Sequence, residues 1–321
     1  MKYRPLGNSD IAASVVAFGA WAIGGWPWGG TDEQNAIDAI DTALEIGMNF
    51  IDTAPVYGLG LSEEIIGKAL KGKRDKAVIA TKCGLIWHEP KGTYFFEEYG
   101  KKVYKYLGPE SIRYEVEQSL KRMQTDYIDL LQTHWQENSV PIEDTMKELV
   151  KLKEEGKIRA IGVCNVKKEQ LEEYMKYGIV DTDQELYSML YRDIEKTNAP
   201  FCKEEDIAIL AYSPIAQGLL TGKIKPGREF KDGDLRKNNP KFSGENLERV
   251  TKLLDKIQPI ADKYNATLAQ TVIAWTISQP GITHALVGAR NPEQVRENAG
   301  ACDFELTQQD INTITDAVNQ L

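Results

Sequence analysis

Short apolar runs rich in β-branched residues alternate with amphipathic helical patterns along almost the whole chain, and eight such runs occur. They are Val15–Gly19, Asn49–Pro55, Ala77–Lys82, Tyr127–His134, Ile158–Val163, Gln184–Tyr187, Ile207–Ser213 and Ala285–Val287. A strand, a helix and a second strand fold into a parallel pair, because the helix carries the chain back to the starting edge. Eight such units, with no glycine fingerprint after the first strand and no linker, predict an α/β fold. That fold is a closed (β/α)8 TIM barrel forming one domain over residues 1–321. A doubly wound open sheet is the competing arrangement. Ahead of the first unit, residues 2–14 read as an N-terminal β-hairpin turning at Gly7-Asn8-Ser9-Asp10. Two long loops, Cys83–Leu107 and Gln217–Gly244, follow the third and seventh runs and so fall on the carboxyl face. Thr31 and Ser62 read as N-caps, and Pro141 and Gly156 bracket a further helix.

Composition narrows the partners. The net charge of −9 comes from 48 acidic and 39 basic residues with no block of like charge. That argues against nucleic acid and against an anionic membrane surface. The four cysteines, Cys83, Cys164, Cys202 and Cys302, form no CxxC pair, and the three histidines have no metal-ligand spacing. No signal-peptide pattern opens the sequence and no run approaches the ~20 apolar residues of a membrane span. Free thiols, no bound metal and a cytoplasmic location are expected, with the chain a monomer or weak homo-oligomer.

The runs end on unusual groups. The second gives a carboxylate, Asp52, and five residues later a phenol, Tyr57. The third ends on the amine of Lys82 and the fourth on the imidazole of His134. Singly, each has a bland reading: a turn cap, a solvated amine, a satisfied core histidine. Together they form a proton-handling set at the carboxyl ends of barrel strands, where catalytic groups sit in such folds. A phenol with an ordinary pKa of ~10 is a poor proton carrier at neutrality. A neighbouring ammonium stabilises its phenolate, a carboxylate holds that ammonium charged, and an imidazole can orient a substrate oxygen. Further on, the amides of Asn165 and Gln184 match a carboxamide's donor and acceptor, and Tyr212 offers a flat face for a ring.

The motifs Asp52-Thr-Ala-Pro-Val-Tyr57-Gly, Thr81-Lys82, His134-Trp135, Gly162-Val-Cys-Asn165 and Tyr212-Ser-Pro-Ile-Ala-Gln-Gly218 carry a resemblance. From Gly19 to Asn298 the chain resembles the aldo-keto reductases, nearest to bacterial general-stress-protein-type members and more distantly to the potassium-channel β subunits. The resemblance implies that Tyr57 is the general acid, that Lys82 and Asp52 tune it, and that His134 positions the carbonyl. It further implies that Ala20, Trp21, Asp52, Cys164, Asn165, Gln184 and Tyr212 border the nicotinamide. Ser213, Pro214, Ile215, Gly218, Leu219 and Lys223 then approach the pyrophosphate, with Arg236 reaching over it. Gly288 and Ala289 belong to the same seat, Arg290 and Gln294 hold a 2′-phosphate, and Glu297 and Asn298 meet the adenine. NADPH is therefore the expected cofactor. Trp21, Trp87 and Trp135 are expected to line a pocket for a small-molecule aldehyde or ketone. Where the family has a serine before Asn165 this chain has Cys164, a poorer hydrogen-bond donor.

The expected activity is reduction of aldehydes and ketones to alcohols. Two other readings compete: a Schiff-base aldolase using Lys82, and a cofactor-binding redox sensor with slow turnover. Thr221-Gly-Lys223 lacks the remainder of a phosphate-binding loop, and no Tyr-x-x-x-Lys pair occurs.

Overall fold

The computed structural model describes residues 1–321. The chain begins with β1 (Tyr3–Pro5) and β2 (Ala12–Ser14), an antiparallel hairpin. Then come β3 (Val16–Gly19), α1 (Glu33–Glu45), β4 (Phe50–Asp52), α2 (Leu61–Ala69) and β5 (Val78–Cys83). An excursion of β6 (Leu85–Ile86), β7 (Thr93–Glu98) and β8 (Lys101–Lys105) precedes α3 (Pro109–Met123) and β9 (Ile128–Thr133). The alternation resumes with α4 (Ile142–Glu154), β10 (Ile158–Cys164), α5 (Lys168–Met175), β11 (Thr182–Leu186), α6 (Asn198–Glu204) and β12 (Ala208–Tyr212). It closes with α7 (Gly244–Lys263), α8 (Leu268–Ser278), β13 (Ile282–Gly288), α9 (Pro292–Ala299) and α10 (Gln308–Asn319).

Eight parallel strands close into a barrel in the order β10-β11-β12-β13-β3-β4-β5-β9, which settles the choice between barrel and open sheet. Alternation along each strand sends one set of side chains into the lumen and the other toward the helices. Ala17, Phe50, Val78, Ala80, Leu130, Ala160, Ala208, Leu210 and Leu286 fill the lumen. Leu6, Ile11 and Ala13 of the N-terminal hairpin join that cluster, so the hairpin plugs the amino mouth. The approach is close at Gly7, which has φ +56° and where a Cβ would lie 2.0 Å from the Asp181 carbonyl oxygen. With one mouth sealed by apolar contact, the carboxyl mouth is left for chemistry.

Several local expectations need correction. The N-cap of α1 is Asp32, whose carboxylate accepts from the Asn35 amide, and not Thr31. Ser62 lies inside α2, and its buried hydroxyl meets Thr53 and the Ala20 carbonyl. The sixth barrel strand starts at Thr182 and not Gln184, since Thr182 and Asp183 are polar yet wholly buried. The last strand extends back to Ile282 through Thr283 and His284, whose polarity hid it. The segment Cys83–Leu107 is no plain loop: β6, β8 and β7 form a three-stranded antiparallel sheet. Its tip, Tyr99 and Gly100, has φ of +48° and +74°. Two left-handed residues in succession make the tight turn that hairpin twist favours, and Tyr-Gly is a weak sequence signal for it. The Gln217–Gly244 connection has no strand but is tied down: Trp28 bridges to Asp234, and the Leu235 amide donates to the Pro27 carbonyl at 2.9 Å. No helix is long and apolar enough to cross a membrane. All four cysteines are free and buried.

Glu115 on α3 gives a pH-dependent element of stability. It is buried and accepts from the Gly84 amide at 3.0 and 3.1 Å. Burial pushes its carboxyl up to about 8, against the pull of the Gly84 amide and Arg122. The folded protein therefore binds a proton there that the unfolded chain has released, so stability falls as pH rises from the ordinary carboxylate range to about 8. Glu115→Gln removes that titration. Its melting temperature between pH 5 and 9 is expected to fall less steeply than the wild type's, a difference of roughly a few kcal/mol in unfolding free energy. Parallel melting curves would show Glu115 to be irrelevant.

Candidate active site

Asp52 ends β4, and its carboxylate lies at the carboxyl mouth beside Lys82, near the end of β5. The Lys82 ammonium donates to both Asp52 oxygens at 2.9 Å and to the Thr53 carbonyl at 2.8 Å. It is 1% exposed. Gln184 and Gln132 donate to the same carboxylate from β11 and β9, at 2.8 and 3.4 Å. Burial alone disfavours the Lys82 cation, but Asp52, then the Tyr57 phenol, reverse that and hold its pKa above the ordinary value. Lys82 is thus held toward its charged form, which disfavours the free amine a Schiff-base mechanism needs.

Tyr57 lies in the turn after β4, and its hydroxyl is 3.4 Å from the Lys82 nitrogen. Burial pushes the phenol up to about 12, while Lys82 pulls the other way and Asp52 adds to the rise. At neutrality Tyr57 is a protonated acid whose conjugate base has a cation waiting beside it. Gly24 makes that placement possible, since a Cβ there would sit 2.7 Å from the Tyr57 backbone. His134 follows β9, with its ring edge-on to Tyr57 at a centroid distance of 6.0 Å. Burial, with Lys82 adding to it, drives the imidazole pKa well below its usual value. His134 is therefore neutral and can donate a hydrogen bond without competing as an acid. Trp21 lies 6.3 Å from Tyr57, and together with His134 and Trp135 it shares the same cleft wall.

That cleft has a volume of about 690 Å³ and runs from the aromatic sheet, across the strand ends, to α9. Of the expected cofactor residues, Asn165, Gln184, Tyr212, Ser213, Pro214, Ile215, Gly218, Lys223 and Arg236 line it. Trp21, Asp52, Gly288, Ala289, Arg290, Gln294, Glu297 and Asn298 do so as well. Ala20, Cys164 and Leu219 do not: all three are buried behind the wall. Trp87 is also absent from it; it is partly buried against the cluster of Ala54, Val56, Leu85 and Val103. Beside Trp21 and Trp135 the cleft is also walled by Trp26, Pro27, Leu85, Phe95, Phe96 and Glu98. Of these the sequence offered Trp26 only as packing for the loop after the first strand, and Phe95 and Phe96 only as part of the aromatic-rich insertion. Trp26 stacks on Phe96 at 5.5 Å. The density of aromatics between positions 87 and 106 was the available signal for this wall.

Several polar groups are already engaged within the protein. Asn165 accepts from the Tyr212 hydroxyl and donates to the His134 carbonyl, at 2.8 and 2.9 Å. This fixes the Tyr212 ring and leaves Asn165 one acceptor lone pair and one N–H for a carboxamide. Arg236 is held by Asp234 at 2.9 and 2.7 Å, and its guanidinium also faces the rings of Trp28 and Phe230. Lys223 pairs with Glu297 at 2.5 Å. Arg290 has no carboxylate within ion-pair reach; its only hydrogen bond from the guanidinium is a 3.5 Å contact to the Trp28 carbonyl. After β12 the backbone is contorted, with φ of +56°, +46°, +56° and +93° at Ser213, Ala216, Gln217 and Gly218. Left-handed non-glycine residues cost of order 1–3 kcal/mol each and cluster where a ligand is bound. A Cβ on Gly218 would touch only the ends of the Arg236 and Ile224 side chains, so the backbone there faces open cleft. An extended dinucleotide fits these features: amide and aromatic groups at the centre, contorted backbone along the middle and an unpaired cation at the far end.

A (β/α)8 barrel with an acid, a phenol, an amine and an imidazole at its carboxyl mouth, and a long cleft beside them, defines a class of oxidoreductases. The chain belongs to the aldo/keto reductase family, whose pattern it matches over residues 15–319. It is 43% identical to the NADH-specific methylglyoxal reductase of Escherichia coli K12, covering 100% of this chain and 99% of that protein. Among solved structures it superposes on a glycerol dehydrogenase from Gluconobacter oxydans with a TM-score of 0.89 and 39% identity, covering 99% and 95% of the two chains. A Klebsiella pneumoniae aldo/keto reductase in complex with NADP and acetate matches with a TM-score of 0.73 and 27% identity, over 98% and 95%.

Removing either partner of the buried ion pair strands the other charge. Lys82→Met is expected to cost about 3–5 kcal/mol in urea unfolding. Tyr57→Phe, which removes one hydroxyl at the cleft wall, is expected to change stability by at most about 1 kcal/mol. Equal costs for the two variants would contradict this division between a buried ion pair and a hydroxyl at the cleft wall.

Proposed function

We propose that the protein reduces small aldehydes and ketones to alcohols with a nicotinamide dinucleotide, and that Tyr57 delivers the proton. The observation carrying this reading is the Tyr57 hydroxyl held 3.4 Å from a lysine that a buried carboxylate keeps charged. When bound, the nicotinamide supplies the hydride. The chain's own residues do the rest. His134 donates a hydrogen bond to the substrate oxygen, and Tyr57 releases its proton to that oxygen as negative charge develops there. Lys82 stabilises the phenolate that remains, and Asp52 keeps Lys82 charged and aimed. The aromatic wall excludes water and suits small carbonyl compounds. The names of the Escherichia coli methylglyoxal reductase and the Gluconobacter oxydans glycerol dehydrogenase support a small, oxygen-rich substrate class. Reduction of methylglyoxal or glyceraldehyde, followed by cofactor absorbance, tests the proposal. Wild type is expected to turn over and Tyr57→Phe to lose about 10²- to 10⁴-fold in kcat while still binding cofactor. Undiminished turnover by Tyr57→Phe would remove Tyr57 from the mechanism.

For the cofactor we propose NADPH. The support is Arg290, a cleft cation in no ion pair that acts on Asp234 only at longer range, next to the α9 N-terminus. The NADH specificity in the name of the Escherichia coli relative makes this the sharpest point to test. Arg290→Leu is expected to weaken NADPH binding about 10- to 100-fold and leave NADH within about twofold, measured by fluorescence titration. Equal affinity of the wild type for the two cofactors would overturn the assignment.

A further inference from the structure

Behind Asn165 lies a cluster of buried polar groups with no part in the chemistry above. Asn165 follows the end of β10 in the left-handed region, with φ +53°. Its backbone amide donates to the Gln184 carbonyl at 3.2 Å, and its side chain is tied to the His134 carbonyl and the Tyr212 hydroxyl. The next residue, Val166, is held on both sides. Its N–H donates to the Glu185 carboxyl at 2.8 Å, and its carbonyl accepts from the Asn198 amide of α6 at 3.1 Å. Asn198 also donates to Oδ2 of Asp183 at 2.8 Å, and the Cys202 thiol donates to the same oxygen at 3.7 Å. Asp183 and Glu185 share one face of β11, and both are buried.

Two buried carboxyl groups in contact cannot both ionise unless a cation joins them. No lysine or arginine forms an ion pair with either, and Oδ1 of Asp183 has no hydrogen-bond donor. The two groups lie within hydrogen-bonding reach of each other, and burial, then the charge on Asp183, pushes the Glu185 carboxyl up. The pair therefore keeps one proton, on Glu185, which donates to Asp183 while its other oxygen accepts from Val166. A non-glycine residue keeps a left-handed backbone only where its surroundings hold it there. We propose that Glu185 is a positioning residue: with Asn198 it clamps Val166, and so holds Asn165 in its left-handed conformation with its amide toward the nicotinamide carboxamide. This rests on the nicotinamide-dinucleotide reading above. Asn165 has one acceptor lone pair and one N–H to offer a carboxamide, so a turn of its backbone loses both contacts and releases Tyr212 as well. The clamp acts on the nicotinamide end alone, because Ser213, Gly218, Arg236 and Arg290 belong to other segments of the cleft wall.

The test is calorimetric titration with NADPH and NADH, each beside the fragment that lacks nicotinamide, ADP-ribose 2′-phosphate and ADP-ribose. Glu185→Leu is expected to weaken the dinucleotide that the wild type binds about tenfold and to leave its fragment within about twofold. Glu185→Gln can donate to Asp183 and accept from Val166 without a proton, so it is expected to stay within about threefold of wild type on both. Equal weakening of dinucleotide and fragment, no weakening of either, or a loss in Glu185→Gln as large as in Glu185→Leu overturns the assignment. Should Glu185→Leu not fold, Asn198→Ala frees the other side of Val166, with the same expectation and the same overturning results. Turnover of a carbonyl compound separates the clamp from the reaction. If wild type reduces none, yet Glu185→Leu weakens dinucleotide against fragment and Glu185→Gln does not, the reductase reading fails and the clamp stands. If turnover proceeds and that ratio does not move, the clamp alone fails.

Discussion

A fully buried ammonium and a nearly buried carboxylate, Lys82 and Asp52, hold each other at the mouth of the barrel. Neither is tolerable there alone: an isolated charge in such surroundings costs several kcal/mol. The structure satisfies the pair from four strands, since Asp52 is on β4, Lys82 on β5, Gln132 on β9 and Gln184 on β11. The pair thus fixes the register of half the barrel at its carboxyl end. What it supplies to chemistry is a cation that stays a cation. In the proposed mechanism Tyr57 needs that, because burial raises its phenol pKa and Lys82 pulls it back.

The rest of the fold serves this placement. The N-terminal hairpin fills the opposite mouth with Leu6 and Ile11, so the lumen is packed and only one end is open. Two excursions then build walls around that end. The β6-β8-β7 sheet brings aromatics and Glu98 beside Tyr57. The connection after β12 carries Arg236 across, tethered through Asp234 to the loop that holds Trp28. Strands position the reacting groups and loops decide what reaches them, as is usual for this barrel.

The sequence made some of this visible and hid the rest for identifiable reasons. The barrel and the four strand-end groups were legible because eight repeats of one pattern leave few topologies, and polar residues terminating apolar strands stand out. The caps were misplaced by one or two residues at Thr31 and Ser62, where adjacent polar residues compete and only the tertiary position of Ser62 decides. Ala20, Cys164 and Leu219 belong to strand-end and loop segments that do line the cleft, but the three residues themselves are buried and off its wall; segment membership does not give exposure. Trp87 is also off the wall, partly buried against the cluster of Ala54, Val56, Leu85 and Val103. Glu98 was invisible because nothing distinguishes one glutamate of the pair Glu97-Glu98 until the hairpin register buries the second and exposes the first.

The proposed chemistry turns on Tyr57 changing its protonation state beside Lys82. The pH dependence of alcohol oxidation measures that directly, because in this direction the phenolate must accept a proton. Below the pKa of Tyr57, the rate of the hydride-transfer step, followed under single-turnover conditions with bound oxidised cofactor, should rise about tenfold per pH unit. In Tyr57→Phe that slope should vanish. A flat profile in the wild type, or the same slope in Tyr57→Phe, would mean that another group carries the proton.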